Sequence, residues 1–390
     1  MNKLLSIIIP TKNRQVYCIE SIQSILEDID EQCEIIIQDN STDDSLSNMI
    51  KGLKVKNIIY NYIPEPLSFV ENFEQALTLS SGKYFMILGD DDSTTKDTLY
   101  LVKWMDEKGI ESIASSNVVE YVWPNEKIEI YHRGQMTLYN YLGDIELQDT
   151  ESNLKELIKN GFIGYYAFNL PRTYHGIVKR SCMDTVKKLG GRYFGGLTPD
   201  IYSTIALACI VKKHITIDFP FSIAGACPAS ATVNARVGGH SGKLKDAPHF
   251  NYRGEYQWEN SVPKFYSVET IWAESAIKAI KDMKREDLLT EFNKYKLYVY
   301  SIYLNKKYIF MMSFLETLKV RKAISENIVS HIYKLSKNSF KYFIQRYTRT
   351  RGKLTDNKVS IFKDVTSFKQ CKEIITNKIN FSIEDKFGKS

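Results

Sequence analysis

What this sequence lacks removes several classes of protein at the outset. It has six cysteines, Cys18, Cys33, Cys182, Cys209, Cys227 and Cys371, and no two stand at a C-x-x-C or other ligand spacing. Neither a zinc site nor a disulfide framework is therefore indicated, and buried free thiols in a reducing compartment are expected. No run of 18 apolar residues occurs, so no membrane-spanning helix is expected. The first ten residues hold one Lys and a short apolar run, and polar Thr11 to Arg14 follows at once without a small-residue cleavage site. A signal peptide is not indicated, and the chain is expected in the cytoplasm. Glycine motifs that grip phosphate are also missing. Neither G-x-G-x-x-G after the first strand nor G-x-x-x-x-G-K-[ST] occurs, which disfavours a standard Rossmann cofactor or a P-loop. A bound nucleotide would need metal and positive side chains for its diphosphate.

What is present is ordinary globular material. Of 390 residues, 43% are hydrophobic and 25% charged, enough for a large core without staples. The length suggests one large domain with an appendage. The net charge of +6 is unevenly placed: Tyr303 to Lys353 holds twelve Lys and Arg against two Glu, leaving the remainder mildly acidic.

The first 116 residues alternate between two periodicities. Leu4 to Ile9, Cys33 to Ile37, Lys56 to Tyr60 and Tyr84 to Leu88 read as strands, the first ending at Pro10. Apolar residues at helical spacing follow from Arg14 and over Leu67 to Leu79. Strand and helix in alternation predict an α/β fold with a mostly parallel sheet flanked by helices. Ligands in such sheets sit at the carboxyl ends of the strands, where Asp39 and the run Asp90 to Asp92 both fall. Farther along, Val118 to Tyr131 reads as a hairpin and Ile201 to Val211 as a buried helix. Pro228 to Pro248 reads as a mobile loop, and helices dominate beyond about Tyr266.

Three adjacent carboxylates repel one another unless water or a cation offsets their charge. Mg²⁺ and Mn²⁺ bind one or two carboxylates plus substrate phosphates, so Asp90 to Asp92 are candidate ligands. A solvated turn capping the next helix is the plainer alternative. Asp39 to Asp44 can likewise cap a helix, or Asp39 can accept hydrogen bonds from a base or ribose.

Three segments, Ser6 to Arg14 (SIIIPTKNR), Ile36 to Asp43 (IIQDNSTD) and Gly82 to Asp92 (GKYFMILGDDD), resemble in order and spacing a family 2 glycosyltransferase of GT-A fold. Tyr174 to Val178 (YHGIV) with Pro199 to Tyr202 (PDIY) resembles the acceptor half of bacterial polysaccharide members. The resemblance implies a catalytic domain over residues 1–265, divided near 120 into nucleotide-sugar and acceptor halves. Residues 266–390 would form a mainly helical, basic C-terminal region. Pro10, Thr11, Asn13, Arg14, Asp39, Asn40, Asp90 and Asp91 would line the nucleotide-sugar pocket. Asp92 and His240, with His249 behind it, would hold Mn²⁺ or Mg²⁺, and Asp200 would be the catalytic base, or else a helix cap. Tyr174 and His175 would touch the acceptor, a structural role for His175 being the alternative.

Such enzymes are inverting: the acceptor hydroxyl attacks the anomeric carbon as the nucleoside diphosphate departs. The expected activity is therefore metal-dependent transfer from a nucleotide sugar, a UDP-sugar first, to a bacterial surface-glycan or lipid-linked acceptor. The alternatives are a nucleotidyl- or phosphotransferase on a similar sheet, and a non-catalytic glycan-binding protein. Two departures stand out. Glu71 precedes Asn72 where many members carry Arg, and the acidic motif is Gly-Asp-Asp-Asp, which leaves the metal position open between Asp91 and Asp92. The basic stretch interleaves Lys and Arg with aromatics, which suits peripheral contact with an anionic membrane. A solvated helical face, a homo-oligomer contact or an anionic polymer acceptor would also account for it. No nucleic-acid module is recognised, and no nucleic-acid partner is expected.

Overall fold

A computed structural model describes residues 3–126, 132–230, 241–304, 310–352 and 359–388. Strands β1 (Leu5–Thr11), β2 (Cys33–Asp39), β3 (Ile58–Tyr62) and β4 (Tyr84–Ile87) alternate with helices α1 (Gln15–Leu26), α2 (Ser45–Gly52) and α3 (Phe69–Leu79). Next come β5 (Ser93–Thr94), α4 (Thr98–Lys108), β6 (Ser112–Ser115), β7 (Val119–Val122), β8 (Gln135–Tyr139) and β9 (Ile145–Gln148). There follow α5 (Thr150–Lys159), β10 (Gly176–Lys179), α6 (Arg180–Gly190), α7 (Pro199–Ala208), β11 (His214–Ile217) and β12 (Ser222–Ala226).

Eight strands form the main sheet in the order β3-β2-β1-β4-β10-β6-β11-β9. The first four are parallel, and β10 enters antiparallel to both β4 and β6. Every residue of β1 and β2 is buried because both faces of the sheet are covered. Alternation along β1 divides the core: Ile8 joins Phe85, Val70 and Ile205 on one face, while Ile7 and Ile9 join Ile22, Leu46 and Leu101 on the other. The expected α/β class is what the chain adopts.

Glu71, the departure noted in the third helix, has a local purpose. Its carboxylate accepts from the Ser68 backbone N–H at 3.1 Å while Ser68 Oγ accepts from the Glu71 N–H at 3.3 Å. This reciprocal cap starts α3, an arrangement that stabilises a helix by about 1 kcal/mol.

The expected hairpin exists but is wider. β7 and β8 pair antiparallel, and the second strand begins only at Gln135, beyond Pro124, with 127–131 outside the described residues. β8 also pairs with β15 (Val359–Lys363), giving a second sheet ordered β15-β8-β7-β12-β5. A short ladder joins β13 (Ser241–Gly242) to β14 (Tyr266–Ser267).

Helices Val268–Asp282, Lys294–Leu304, Phe310–Ala323 and Ile328–Gly352 make the region beyond 265 mainly helical. Its end, however, returns to the first half of the chain. Phe368 of the helix Phe368–Lys378 packs on Tyr121 and Trp123, with ring centroids 5.4 and 5.1 Å apart. Phe387 stacks on Trp104 at 4.8 Å, and Lys372 Nζ lies 2.7 Å from Asp28. A sheet edge and an aromatic cluster draw this segment back, which local helical periodicity does not reveal. Among the described residues, no helix is long and apolar enough to cross a membrane.

Candidate active site

The carboxyl ends of β1, β2 and β4 meet at one edge, with Thr11 in register with Asp39. The run that follows β4 is not a solvated turn, since Asp90, Asp91 and Asp92 are 0%, 3% and 1% exposed. Burying three carboxylates is costly unless each is paired, and the three are paired differently.

Asp90 Oδ2 accepts from Thr11 Oγ1 at 2.6 Å, and its Oδ1 lies 2.9 Å from Arg14 Nη2 without an aligned hydrogen bond. Asp91 Oδ2 accepts from the Cys227 N–H at 2.8 Å, and its Oδ1 is 3.5 Å from Arg14 Nη1. Asp92 is enclosed. Its Oδ1 accepts from Gly225 N–H at 2.7 Å, and its Oδ2 accepts from Gly89 N–H at 2.6 Å and Tyr174 O–H at 2.8 Å. His175 Nε2 lies 3.1 Å from the same Oδ2, and His175 Nδ1 is 3.0 Å from Ser222 Oγ.

The electrostatics follow from these partners. Burial pushes the Asp90 and Asp91 carboxyls up; Arg14 opposes this, while the neighbouring aspartates reinforce it. Burial acts on Asp92 too, but His175 and the Gly89 and Gly225 N–H groups outweigh it and hold this carboxyl below its usual range. Burial alone would lower Arg14, and Asp90 and Asp91 instead raise it. Arg14 keeps 26% of its side chain exposed, whereas the side chains of Asp90 and Asp91 keep 0% and 5%.

On the neighbouring strand end, Asp39 Oδ1 accepts from Ser41 N–H at 2.8 Å and Oδ2 from Tyr60 O–H at 2.9 Å. Asn40 braces a loop: its Nδ2 donates to Ile63 O and Glu65 O at 2.8 Å each, and its Oδ1 accepts from Lys12 Nζ at 2.9 Å. Asn13, at φ 56°, accepts from Thr42 N–H at 2.9 Å, and Pro10 lies buried in β1. Tyr60, which the sequence did not single out, is the aromatic partner of Asp39.

Asp200 lies in the first turn of α7, behind Pro199. The N-cap of that helix, Thr198, makes no side-chain bond to the backbone of the turn. Asp200 Oδ2 accepts from Tyr165 O–H at 3.0 Å, and Thr198 Oγ1 donates to Oδ1. Tyr165 stacks on Tyr166 at 4.1 Å, with Trp272 edge-on to the pair at 4.9 and 5.8 Å. Half of Tyr166 stays in solvent. Asp200 and Asp92 are linked through a single strip of chain: Ser203 Oγ donates to the Asp200 carbonyl at 3.0 Å and lies 2.9 Å from Thr173 Oγ1, and Thr173 is followed by Tyr174 and His175.

Tyr174, expected at the acceptor, is thus bonded to Asp92, and His175, expected there too, is buried with its Nε2 in contact with the same carboxylate. His240 lies outside the described residues. His249 is set between Phe69 and Tyr266, at 6.0 and 5.7 Å between ring centroids.

Asp90 to Asp92 are the expected place for a divalent cation. Among the described residues no group of three or more His, Cys, Asp or Glu is arranged to hold a metal, so any ion would rely on substrate phosphates as well. Asp90 Oδ1 has no aligned hydrogen bond, and Asp91 Oδ1 lies 3.5 Å from Arg14 Nη1. Both oxygens of Asp92 are already engaged. An ion held by this turn would share Asp90 Oδ1 and Asp91 Oδ1 with Arg14, while both oxygens of Asp92, the expected ligand, already accept from the protein.

Residues 6–163 match the family description "Glycosyl transferase family 2". A 105-residue stretch is 34% identical to the abequosyltransferase RfbV of Salmonella typhimurium, spanning 26% of this chain and 32% of that protein. Of solved structures, S. aureus TarS 1-349 in complex with UDP-GlcNAc aligns over 86% of this chain and 89% of its own, at 13% identity and TM-score 0.48. The mannosyltransferase PcManGT from Pyrobaculum calidifontis, in complex with GDP-Man and Mn²⁺, aligns over 87% and 88%, at 11% identity and TM-score 0.40. The family 2 match is confined to residues 6–163, and this chain spans about a third of the length of the curated relative it matches.

Proposed function

We propose that the protein is an inverting glycosyltransferase that moves a sugar from a nucleotide donor, a UDP-sugar first, to a hydroxyl of a surface-glycan or lipid-linked acceptor. The observation that supports this most is the pairing of two unlike acidic centres through one strip of chain. One is buried, crowded and flanked by Arg14; the other, Asp200, is half-buried beside an exposed aromatic ring.

In this reading the donor diphosphate lies against Arg14, whose guanidinium Asp90 and Asp91 keep oriented and charged. When bound at Asp90 and Asp91, Mn²⁺ or Mg²⁺ would supply charge stabilisation for the departing diphosphate. Asp39 and Tyr60 would face the nucleoside. Asp200 takes the proton of the acceptor hydroxyl as its oxygen bonds to the anomeric carbon and the bond from that carbon to the diphosphate oxygen breaks. The leaving group carries away the electron pair, and the anomeric centre inverts. Tyr166, stacked behind on Tyr165, offers a flat apolar face for the acceptor ring.

The test is release of nucleoside diphosphate from a panel of UDP-, GDP- and CDP-sugars in the presence of candidate glycan acceptors. Asp200→Asn is expected to lower kcat by roughly 10²- to 10⁴-fold with donor affinity unchanged. Unaltered turnover in that variant would remove Asp200 as base, and release of pyrophosphate instead would indicate nucleotidyl transfer.

A further inference from the structure

The helix Ile328–Gly352 has two opposed apolar faces, and only one of them is used by the described residues. His331, Leu335 and Tyr342 turn inward and are at most 8% exposed. His331 Nδ1 lies 3.1 Å from Tyr295 O–H, and Tyr342 packs on Tyr300 and Tyr303 with centroids 5.0 and 5.2 Å apart. At about 100° per residue, Val329, Tyr333 and Phe340 fall within roughly 40° of one line, on the side away from that inner face. They are 73%, 65% and 69% exposed, and Ile332 widens the stripe at 42%. Large side chains left this open in a row mark an interaction surface rather than scattered surface apolars.

Charge selects the partner. The helix carries Lys334, Lys337, Lys341, Arg346, Arg349 and Arg351 and no carboxylate. Exposed Lys337 and Lys341 border the stripe. A second copy of the same face would bring two purely cationic helices together, which is unfavourable. A nucleic-acid backbone would meet the lysines, but it has no use for exposed Val329 and Ile332. A lipid surface with anionic headgroups satisfies both halves of the pattern: side chains enter the acyl boundary while cations meet the headgroups.

We infer that Ile328–Gly352 is an interfacial helix that docks the protein flat on an anionic membrane surface. The inference does not depend on which sugar or acceptor is used. It places the enzyme beside lipid-borne substrates without a spanning segment.

Co-sedimentation of the full chain with vesicles of phosphatidylcholine alone, or of phosphatidylcholine with 30% phosphatidylglycerol, tests it. Binding is expected only to the mixed vesicles, and to weaken at high salt. Replacing Lys337→Gln and Lys341→Gln together should weaken it by about 30-fold, taking roughly fivefold per charge. Tyr333→Glu with Phe340→Glu should abolish it, while circular dichroism and nucleotide binding stay as in the wild type. Equal binding to neutral vesicles, or none to either kind, would overturn the inference. So would concentration-dependent dimerisation lost in the Tyr333/Phe340 double variant without vesicle binding. Capture of a labelled oligonucleotide at physiological salt in place of vesicles would overturn it too.

Discussion

His175 Nε2 stands 3.1 Å from Asp92 Oδ2, deep in the protein and 83 residues apart in the chain. Tyr174, its neighbour, bonds the same oxygen at 2.8 Å, and Gly89 and Gly225 close the remaining positions. Asp92 is thereby the post that fastens β12 and the strip Tyr174–His175 to the turn after β4.

Removing that post leaves buried donors unpaired. Asp92→Ala is expected to cost about 3 to 5 kcal/mol in denaturant unfolding. His175→Ala should also destabilise, and the double variant should fall short of the sum. The Asp92 carboxyl is held below its usual range, so its contribution is fully present above about pH 4 and lost as pH falls through the lower folded value. An Asp92→Ala protein as stable as wild type would refute this role.

Gly225 is chosen for what it omits. A Cβ there would meet the Asp91 carbonyl oxygen at 1.6 Å and the Trp123 ring nitrogen at 3.0 Å. The backbone of β12 therefore presses directly on the acidic turn. Gly225→Ala should destabilise by roughly 3 kcal/mol or more and weaken nucleotide binding in proportion. Thermal unfolding decides this, and an unshifted Tm would contradict it.

The expected strand Leu4 to Ile9 overlaps β1 from Leu5 on, Cys33 to Ile37 lies within β2, and the helix over Leu67 to Leu79 covers α3, because each is dictated by local periodicity. The burial of Asp90 to Asp92 was not legible. It depends on Gly225 and Cys227 arriving more than 130 residues later, and no local pattern announces that. Tyr60 beside Asp39 and Tyr165 beside Asp200 were missed for the same reason: a tyrosine in a strand or loop carries no spacing signature. Glu71 stood out only as a departure from the Arg that many members carry, yet the Ser68-x-x-Glu71 pattern before an apolar run was itself a visible capping signal.

Glu274, on the helix Val268–Asp282, supplies a pH signature away from the acidic turn. It is 3% exposed, accepts the Glu259 N–H at 3.0 Å, and burial raises its carboxyl to about 7. A raised folded value means the native state keeps the proton longer than the unfolded chain. The stability this group adds is full below about pH 4 and is lost as pH rises through about 7. Urea unfolding at pH 5 and pH 8 should show wild type losing stability relative to Glu274→Gln at the higher pH. Parallel behaviour of the two proteins would count against the assignment.

Calorimetric titration of UDP, GDP and CDP, with and without Mn²⁺, tests the donor site most directly, using wild type, Asp91→Asn and Arg14→Ala. The account predicts that one diphosphate binds, that Mn²⁺ strengthens it, and that each substitution weakens it by about tenfold or more. If no nucleoside diphosphate binds under any metal condition, the glycosyltransferase reading fails at its first step.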